Sequence, residues 1–299
     1  AVVTIKGDEL TVDLSGSSPE VPGPINATLG SSSSAIHFAV IACADRPIMP
    51  NAGCYRPVKI IAPEGLIVNA RHPAPVAHRI APCHVLLNVL FGALAQAVPD
   101  RIPAAYYGVS YVCSFQTVAA DNSRRVLVEI EVGGCGGHPA GDGASAYSFG
   151  MHNNASIPME MIESEMPLSF TRYGLLPDTG GPGKHRGGLG LVREWRVDAE
   201  RATFTAQMDR FRYRPYGLQG GKPGAAGRLT LIRDGKEIPL HSKVGNMPLQ
   251  KGDIIRLETS GGGGYGDPKQ RSREAVHRDV EQGYVSLESA RSEYAFGNG

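Results

Sequence analysis

The sequence predicts an α+β chain with three successive textures. A mixed α/β amino-terminal part is followed by a β-sandwich or barrel-like part and then by short carboxyl-terminal helices. Three observations carry this. Helical and strand-like apolar periods are interleaved over 1–174, short strands between Gly- and Pro-rich turns fill 175–266, and an Arg/Glu-rich segment opens at Asp267-Pro268 to fill 267–299. These ranges are the expected domains, and 299 residues suffice for one large core or two modest ones.

The elements follow in order. Val3, Ile5, Leu10, Val12 and Leu14 alternate around the turn Lys6-Gly7-Asp8-Glu9, which predicts a hairpin ended by Pro22 and Pro24. Ser31–Ser34 offer cap residues for a helix over about 35–44, stopped before Pro47. A loop carrying Pro47, Pro50, Gly53 and Pro57 leads into a strand at Val58–Ile61. Pro82 suits the first turn of a helix running to about Ala97, with apolar residues on several faces and hence burial on more than one side. Strands are expected at Tyr106–Thr117 and Val126–Val132, and a short helix at Pro158–Met166. Further strands are expected at Leu189–Val197, Ala202–Met208, Arg228–Arg233, Glu237–Leu240 and Asp253–Thr259. Asp234-Gly235 between two of these is a two-residue hairpin signal. Asp267 and Pro268 read as N-cap and first residue of a helix to about Gln282, and a last helix is expected over Leu287–Tyr294.

Thirty basic and twenty-nine acidic side chains leave a formal charge of +1 with no polybasic run, which points away from nucleic acid and from anionic membranes. The longest apolar stretch, Val85–Val98, is broken by Asn88 and Gln96 and is too short to span a bilayer. Cys43, Cys54, Cys83, Cys113 and Cys135 are odd in number and form no C-x-x-C, so reduced thiols in a cytoplasmic protein are expected. No signal peptide is expected, because the opening residues already read as a strand, and the lack of a lead-in suggests a piece of something longer.

Gly (38) and Pro (22) make up about a fifth of the 299 residues, and the glycines cluster at 133–143, 180–190, 217–227 and 261–266. Such clusters mean tight turns or close backbone approaches, whether plain β-turns or ligand sites. Gly180–His185 fails as a phosphate loop: Asp178 stands where its first Gly belongs, His185 replaces the Ser/Thr, and a strand follows rather than a helix. The Gly133–Gly143 loop holds one imidazole, His138, and one carboxylate, Asp142, a pairing suited to proton transfer if the carboxylate orients the ring. The plainer alternative is a tight connection with a solvent-facing histidine. His72, His78 and His84 recur every six residues, about 600° of helix, and so share no face for a metal. Asp209–Arg214 sets cations among aromatics and reads as an exposed face or subunit contact.

Several segments, in order, resemble the hydantoinase B/oxoprolinase family. They are Val21–Thr28, Pro50–Cys54, Ile61–Gly65, Phe91–Gln96, the Gly133–Gly143 loop, Pro177–Gly183, Arg186–Gly190 and Gly261–Pro268. The resemblance implies the carboxyl-terminal half of a B-type subunit in an ATP-dependent cyclic-amide hydrolase, opening rings of the hydantoin or 5-oxoproline kind. It also embraces subunits of ketone carboxylases, and a non-catalytic scaffold is the third reading. It implies a hydantoinase A-like partner that holds ATP and Mg, the amino-terminal half of the B-type subunit as a further partner, and hence a hetero-oligomer. Phosphorylation of the amide oxygen then activates the ring toward water. A divalent metal is assigned to that other half, so no metal ligand is expected here. The expected site comprises His138 and Asp142 as catalytic residues, with Gly136, Gly137, Asn51 and Asn153 lining a small-molecule cavity. An Asn side chain offers a ring amide both a donor and an acceptor, though it serves neighbouring loop backbone equally well.

Overall fold

The computed structural model describes residues 1–45, 47–118 and 122–297. The chain forms two compact units, one of Ala1–Pro103 with Gly150–His152 and the other of Ala104–Phe149 with Asn153–Gly299.

In the first unit, β1 (Val2–Lys6) and β2 (Glu9–Asp13) form the expected hairpin. Gly7 at its tip takes φ +62°, a left-handed conformation that glycine adopts without steric cost. Helix α1 (Leu29–Ala42) starts earlier than the serines suggest, because Thr28 caps it by accepting from the Ser31 N–H. The serines lie inside the helix, where the Ser32 hydroxyl donates to the Val68 carbonyl (2.7 Å). The expected loop at 47–57 contains one helical turn, α2 (Ala52–Tyr55), capped by Asn51. Strand β3 (Val58–Ile61) adds parallel to β2, giving the order β1-β2-β3. Helix α3 (Ile80–Leu94) admits Pro82 in its first turn and packs on α1 and β1. It buries Cys83, His84, Leu86, Leu87, Asn88, Leu90, Phe91 and Leu94, leaving Val85 and Val89 exposed, so more than one side is covered.

The second unit is a sandwich of two antiparallel sheets. One has the order β11-β8-β4-β5, from Lys243–Leu249, Arg201–Gln207, Tyr111–Val118 and Arg124–Glu131. The other has the order β10-β9-β12-β7-β6, from Lys236–Pro239, Arg228–Arg233, Ile254–Glu258, Leu191–Val197 and Leu168–Leu175. The period-2 alternation turns Tyr111, Cys113 and Phe115, Ala202, Phe204 and Ala206, and Ile255 and Leu257 inward. Phe115 meets Trp195 across the sandwich (5.6 Å between ring centroids) and Phe204 beside it (4.9 Å). Strands β6 and β11 have no counterpart among the expected strands; each is bulged, which breaks the alternation that would reveal it. Asp234 and Gly235 (φ +51° and +73°) turn β9 into β10.

Helix α4 (Met159–Glu165) precedes β6. The single helix expected after Asp267 is instead a 3-10 turn, Pro268–Gln270, followed by α5 (Arg273–Glu281), because Ser272 supplies a second cap. Helix α6 (Leu287–Tyr294) lies where expected and shares a small apolar core with α5, built on Val276, Val285, Ala290 and Tyr294. Among the described residues no helix is long and apolar enough to cross a membrane.

Candidate functional site

The four glycine clusters converge in the second unit. Their segments pair backbone to backbone: Gly134 N–H donates to Ser260, Gly137 to Gly263, Gly181 to Gly262, Gly262 to Gly188, and Leu218 to Gly264. The approach is so close that only a hydrogen fits at the α-carbons. A Cβ on Gly134, Gly188 or Gly262 would stand 1.9 Å from the carbonyl oxygens of Gly188, Ala144 and Cys135 respectively. Residues 104–107, the last two expected as strand, belong to this bundle, with Ala104 donating to Gly137 and Tyr107 to Gly134. The amides of Gly134, Cys135, Gly137, His138, Gly141 and Gly143 all donate to protein carbonyls, so they are not available as an anion cradle. The same holds for Gly181, Lys184, His185 and Gly187 in the segment that mimics a phosphate loop, which runs on into β7. Glycine here allows packing of chain on chain.

His138 and Asp142 project from this bundle. The His138 backbone pairs with Gly141 in both directions, and its ring Nδ1 accepts the Ala140 N–H (3.3 Å). The neutral ring is thereby set with its proton on Nε2. The Asp142 carboxylate receives both guanidinium arms of Arg271 (2.6 and 2.7 Å) and the Arg186 N–H (2.7 Å). Arg271 also reaches Asp279 on α5 (2.7 Å), and Asp279 in turn holds Arg186 (3.3 Å). Two arginines and two aspartates thus clamp the loop to the carboxyl-terminal helices. Burial pushes the Asp142 pKa up, but Arg271 and Arg186 more than offset it, and the group stays below the ordinary range. His185, close enough to feel both Asp142 and His138, is shifted down chiefly by burial.

The other expected residues are placed as follows. Gly136 and Gly137 are packed within the bundle, where a Cβ would meet the carbonyls of Ala104 at 1.9 Å and His185 at 2.5 Å. Asn153 belongs to the second unit and is exposed. Asn51 belongs to the first, where its side chain accepts from Gly53 N–H (2.8 Å) and donates to the Met49 carbonyl (2.9 Å), the work of a helix cap. Among the described residues, no group of three or more His, Cys, Asp or Glu side chains is placed to hold a metal.

Two clusters escaped sequence reasoning. His84 on α3 meets His152 edge to face (4.3 Å between centroids), and burial lowers His152 to about 4. The histidine–asparagine spacing of His84 and Asn88, one helical turn apart on the buried side of α3, was the available signal. In the sandwich core, Arg193 lies between Glu131 (2.6 Å) and Glu129 (2.9 Å), while the Trp195 indole donates to Glu129 (2.7 Å). Burial first, and Glu131 beside it, lift Glu129 to about 7 against the pull of Arg193. The alternating charges of Glu129 and Glu131 on β5 were legible; their inward direction was not.

Fold and site together define a two-unit α+β chain whose sandwich is joined to a backbone-packed glycine bundle bearing a fixed histidine and a clamped aspartate. The hydantoinase B/oxoprolinase family matches residues 1–268, and the chain belongs to that family. It is 36% identical over 302 residues to the B-type subunit of a candidate D-/L-hydantoinase of Pseudomonas sp. (strain NS671), covering 98% of this chain and 50% of that protein. It is 32% identical over 327 residues to the beta subunit of the caprolactamase of Pseudomonas jessenii, covering 100% of this chain and 54% of that one. The crystal structure of the ATP-dependent caprolactamase from Pseudomonas jessenii superposes with a TM-score of 0.88 at 31% identity, over 99% of this chain and 54% of that chain. The chain therefore spans about half the length of these relatives.

Proposed function

We propose that this chain is the carboxyl-terminal half of a B-type subunit in an ATP-dependent cyclic-amide hydrolase of the cytoplasm. In this reading it works with the amino-terminal half of the subunit and a hydantoinase A-like partner that holds ATP and Mg. The observation that carries the reading is the TM-score of 0.88 over 99% of the chain with a caprolactamase described as ATP-dependent. Caprolactam, hydantoin and 5-oxoproline share a ring amide, so the substrate class is a lactam or cyclic ureide. The amides of Gly181, Lys184, His185 and Gly187 are spent on protein carbonyls, so this segment offers no cradle for a nucleotide phosphate, and the reading leaves ATP to the partner.

What this chain contributes is a donor at a fixed place. With Nδ1 of His138 accepting a backbone N–H, Nε2–H donates a hydrogen bond to the departing ring nitrogen, which takes its proton from the water that adds to the ring carbon. Asp142, held by Arg271 and unprotonated at neutral pH, fixes the charge beside it, and Asn153 offers donor and acceptor to the ring amide. Reconstitution with the amino-terminal half of the subunit and the hydantoinase A-like partner tests this. ATP-dependent opening of hydantoin, 5-oxoproline or caprolactam is expected, with His138→Ala lowering kcat by about 10²–10⁴-fold. A stable complex of these parts with no ATP-dependent opening of any of these rings would refute the reading.

A further inference from the structure

The Asp142 carboxylate is held by an arginine that is itself held from behind. Arg271 gives Nη1 and Nη2 to Asp142, and turns Nε and Nη2 toward Asp279 (3.1 and 2.7 Å). Arg186 gives Nε and Nη2 to the same Asp279 carboxylate (3.3 and 3.5 Å). Asp279 therefore accepts from both guanidiniums. The side chains of Arg186, Arg271 and Asp279 are 6%, 3% and 7% exposed, against 36% for Asp142. Of the four, Asp142 alone can face a bound molecule, and Asp279 can act on it only through the arginines.

The place of Asp279 is set by the carboxyl-terminal helices. It shares the buried side of α5 with Val276, one turn earlier and part of the small apolar core. The turn after α5 is pinned by Asp178, whose N–H donates to the Tyr284 carbonyl (3.0 Å) and whose carboxylate accepts the Ser286 N–H (2.9 Å). Tyr284 and Tyr294 face the guanidiniums of Arg186 and Arg271 (5.4 and 6.0 Å to the ring centroids). The family match ends at residue 268, before both Arg271 and Asp279.

The charges of these four side chains balance only together. A buried guanidinium that loses its carboxylate is costly, and it turns to whatever anion remains in reach. For Arg186 that anion is Asp142, which already accepts the Arg186 backbone N–H (2.7 Å) and feels its charge. We propose that Asp279 is a positioning residue for the reaction at His138: by occupying the Arg186 guanidinium it leaves the Asp142 carboxylate to the Arg271 side chain, and so fixes its direction and the net charge beside the imidazoles. This rests on the ring-amide reading above. Without Asp279 two guanidiniums compete for Asp142, and one positive charge stands uncompensated next to His138 and His185.

The test reads turnover in the reconstituted complex and, by NMR in this chain, the titration of His185, which lies in the field of Asp142, His138, Lys184 and Arg271. Asp279→Asn keeps the shape and removes the charge. It is expected to lower kcat for ring opening by about tenfold or more with KM held within about twofold, and to lower the proton affinity of His185 by about threefold or more. Adding Arg186→Gln removes the surplus cation and is expected to bring both values back to within about threefold of native. Arg186→Gln alone leaves the anion in excess and is expected to raise the proton affinity of His185, a second handle should Asp279→Asn fail to fold; no rise there overturns the proposal. Glu281→Gln takes the same charge from the exposed side of α5 and leaves both values unchanged. With the native complex active, an unchanged kcat in Asp279→Asn, a loss carried by KM, or no recovery in the double variant overturns the proposal and leaves the functional reading standing. If the native complex opens no ring, the reading falls and the proposal with it.

Discussion

Replacing Arg193 by Met removes the cation from the Glu129–Glu131 site while roughly keeping its volume. The side chains of Arg193, Glu129 and Glu131 are 0%, 3% and 1% exposed, so neither carboxylate is rescued by solvent. Losing one partner of a buried pair costs about 3–5 kcal/mol. The upper half of that range is expected at pH 8, because two acceptors are stranded and Arg193 also lies 4.7 Å from the Phe170 ring centroid. The penalty is chiefly charge. Burial holds both carboxyls above the ordinary glutamate range, so lowering the pH to 5 favours their neutral forms in the variant, and the loss is expected to shrink to about 2 kcal/mol, from missing hydrogen bonds and packing. Combining Arg193→Met with Glu129→Gln and Glu131→Gln is expected to recover at least half of the loss at pH 8. Urea unfolding read through Trp195, the one tryptophan in the chain and fully buried in this core, measures each value. An equal loss at both pH values, or a loss below about 1 kcal/mol, would refute the argument that Arg193 is there to neutralise buried carboxylates.

Other outcomes follow from the same structure. Glu129 holds its proton up to about 7 against an ordinary 4.5, so its contribution is present below about 4.5 and is lost as pH rises through 7; Trp195 emission is expected to titrate near 7, and Glu129→Gln to abolish the transition. His152 has the opposite sign. Lowered to about 4 from 6.5, it contributes fully above 6.5 and loses that contribution as pH falls through 4, and His152→Phe should flatten the acid limb of a urea-midpoint profile. Gly262→Ala places a Cβ 1.9 Å from the Cys135 carbonyl and is expected to prevent soluble expression of the folded chain, whereas Gly174→Ala, with nothing within 4 Å, should express normally. Arg271→Met strands Asp279 and Asp142, and a loss of about 2–4 kcal/mol is expected, discounted because the Asp142 side chain is 36% exposed; limited proteolysis should then cut first near α5 and α6.

The elements legible in the sequence are those whose physics is local. Asp234-Gly235 turns a hairpin because two adjacent residues accept positive φ, and α6 begins where Ser286 can cap it. The inward faces of β4, β8 and β12 follow from alternation alone. Local signals also misled. Four serines suggested a cap inside what is helix, and Asp267-Pro268 opened only one turn. Clustered glycine announced close approach without saying what approaches. Only the tertiary structure decided that it is other glycine segments, such as 133–137 against 260–263, which consume the amides a ligand would need. The partner of Asp142 lies 129 residues away in Arg271, and that of Glu131 lies 62 residues away in Arg193. Such pairings leave no period or spacing in the chain. They depend on which segments meet after folding, because charge and hydrogen-bond complementarity act over ångströms in space and are silent about separation in sequence.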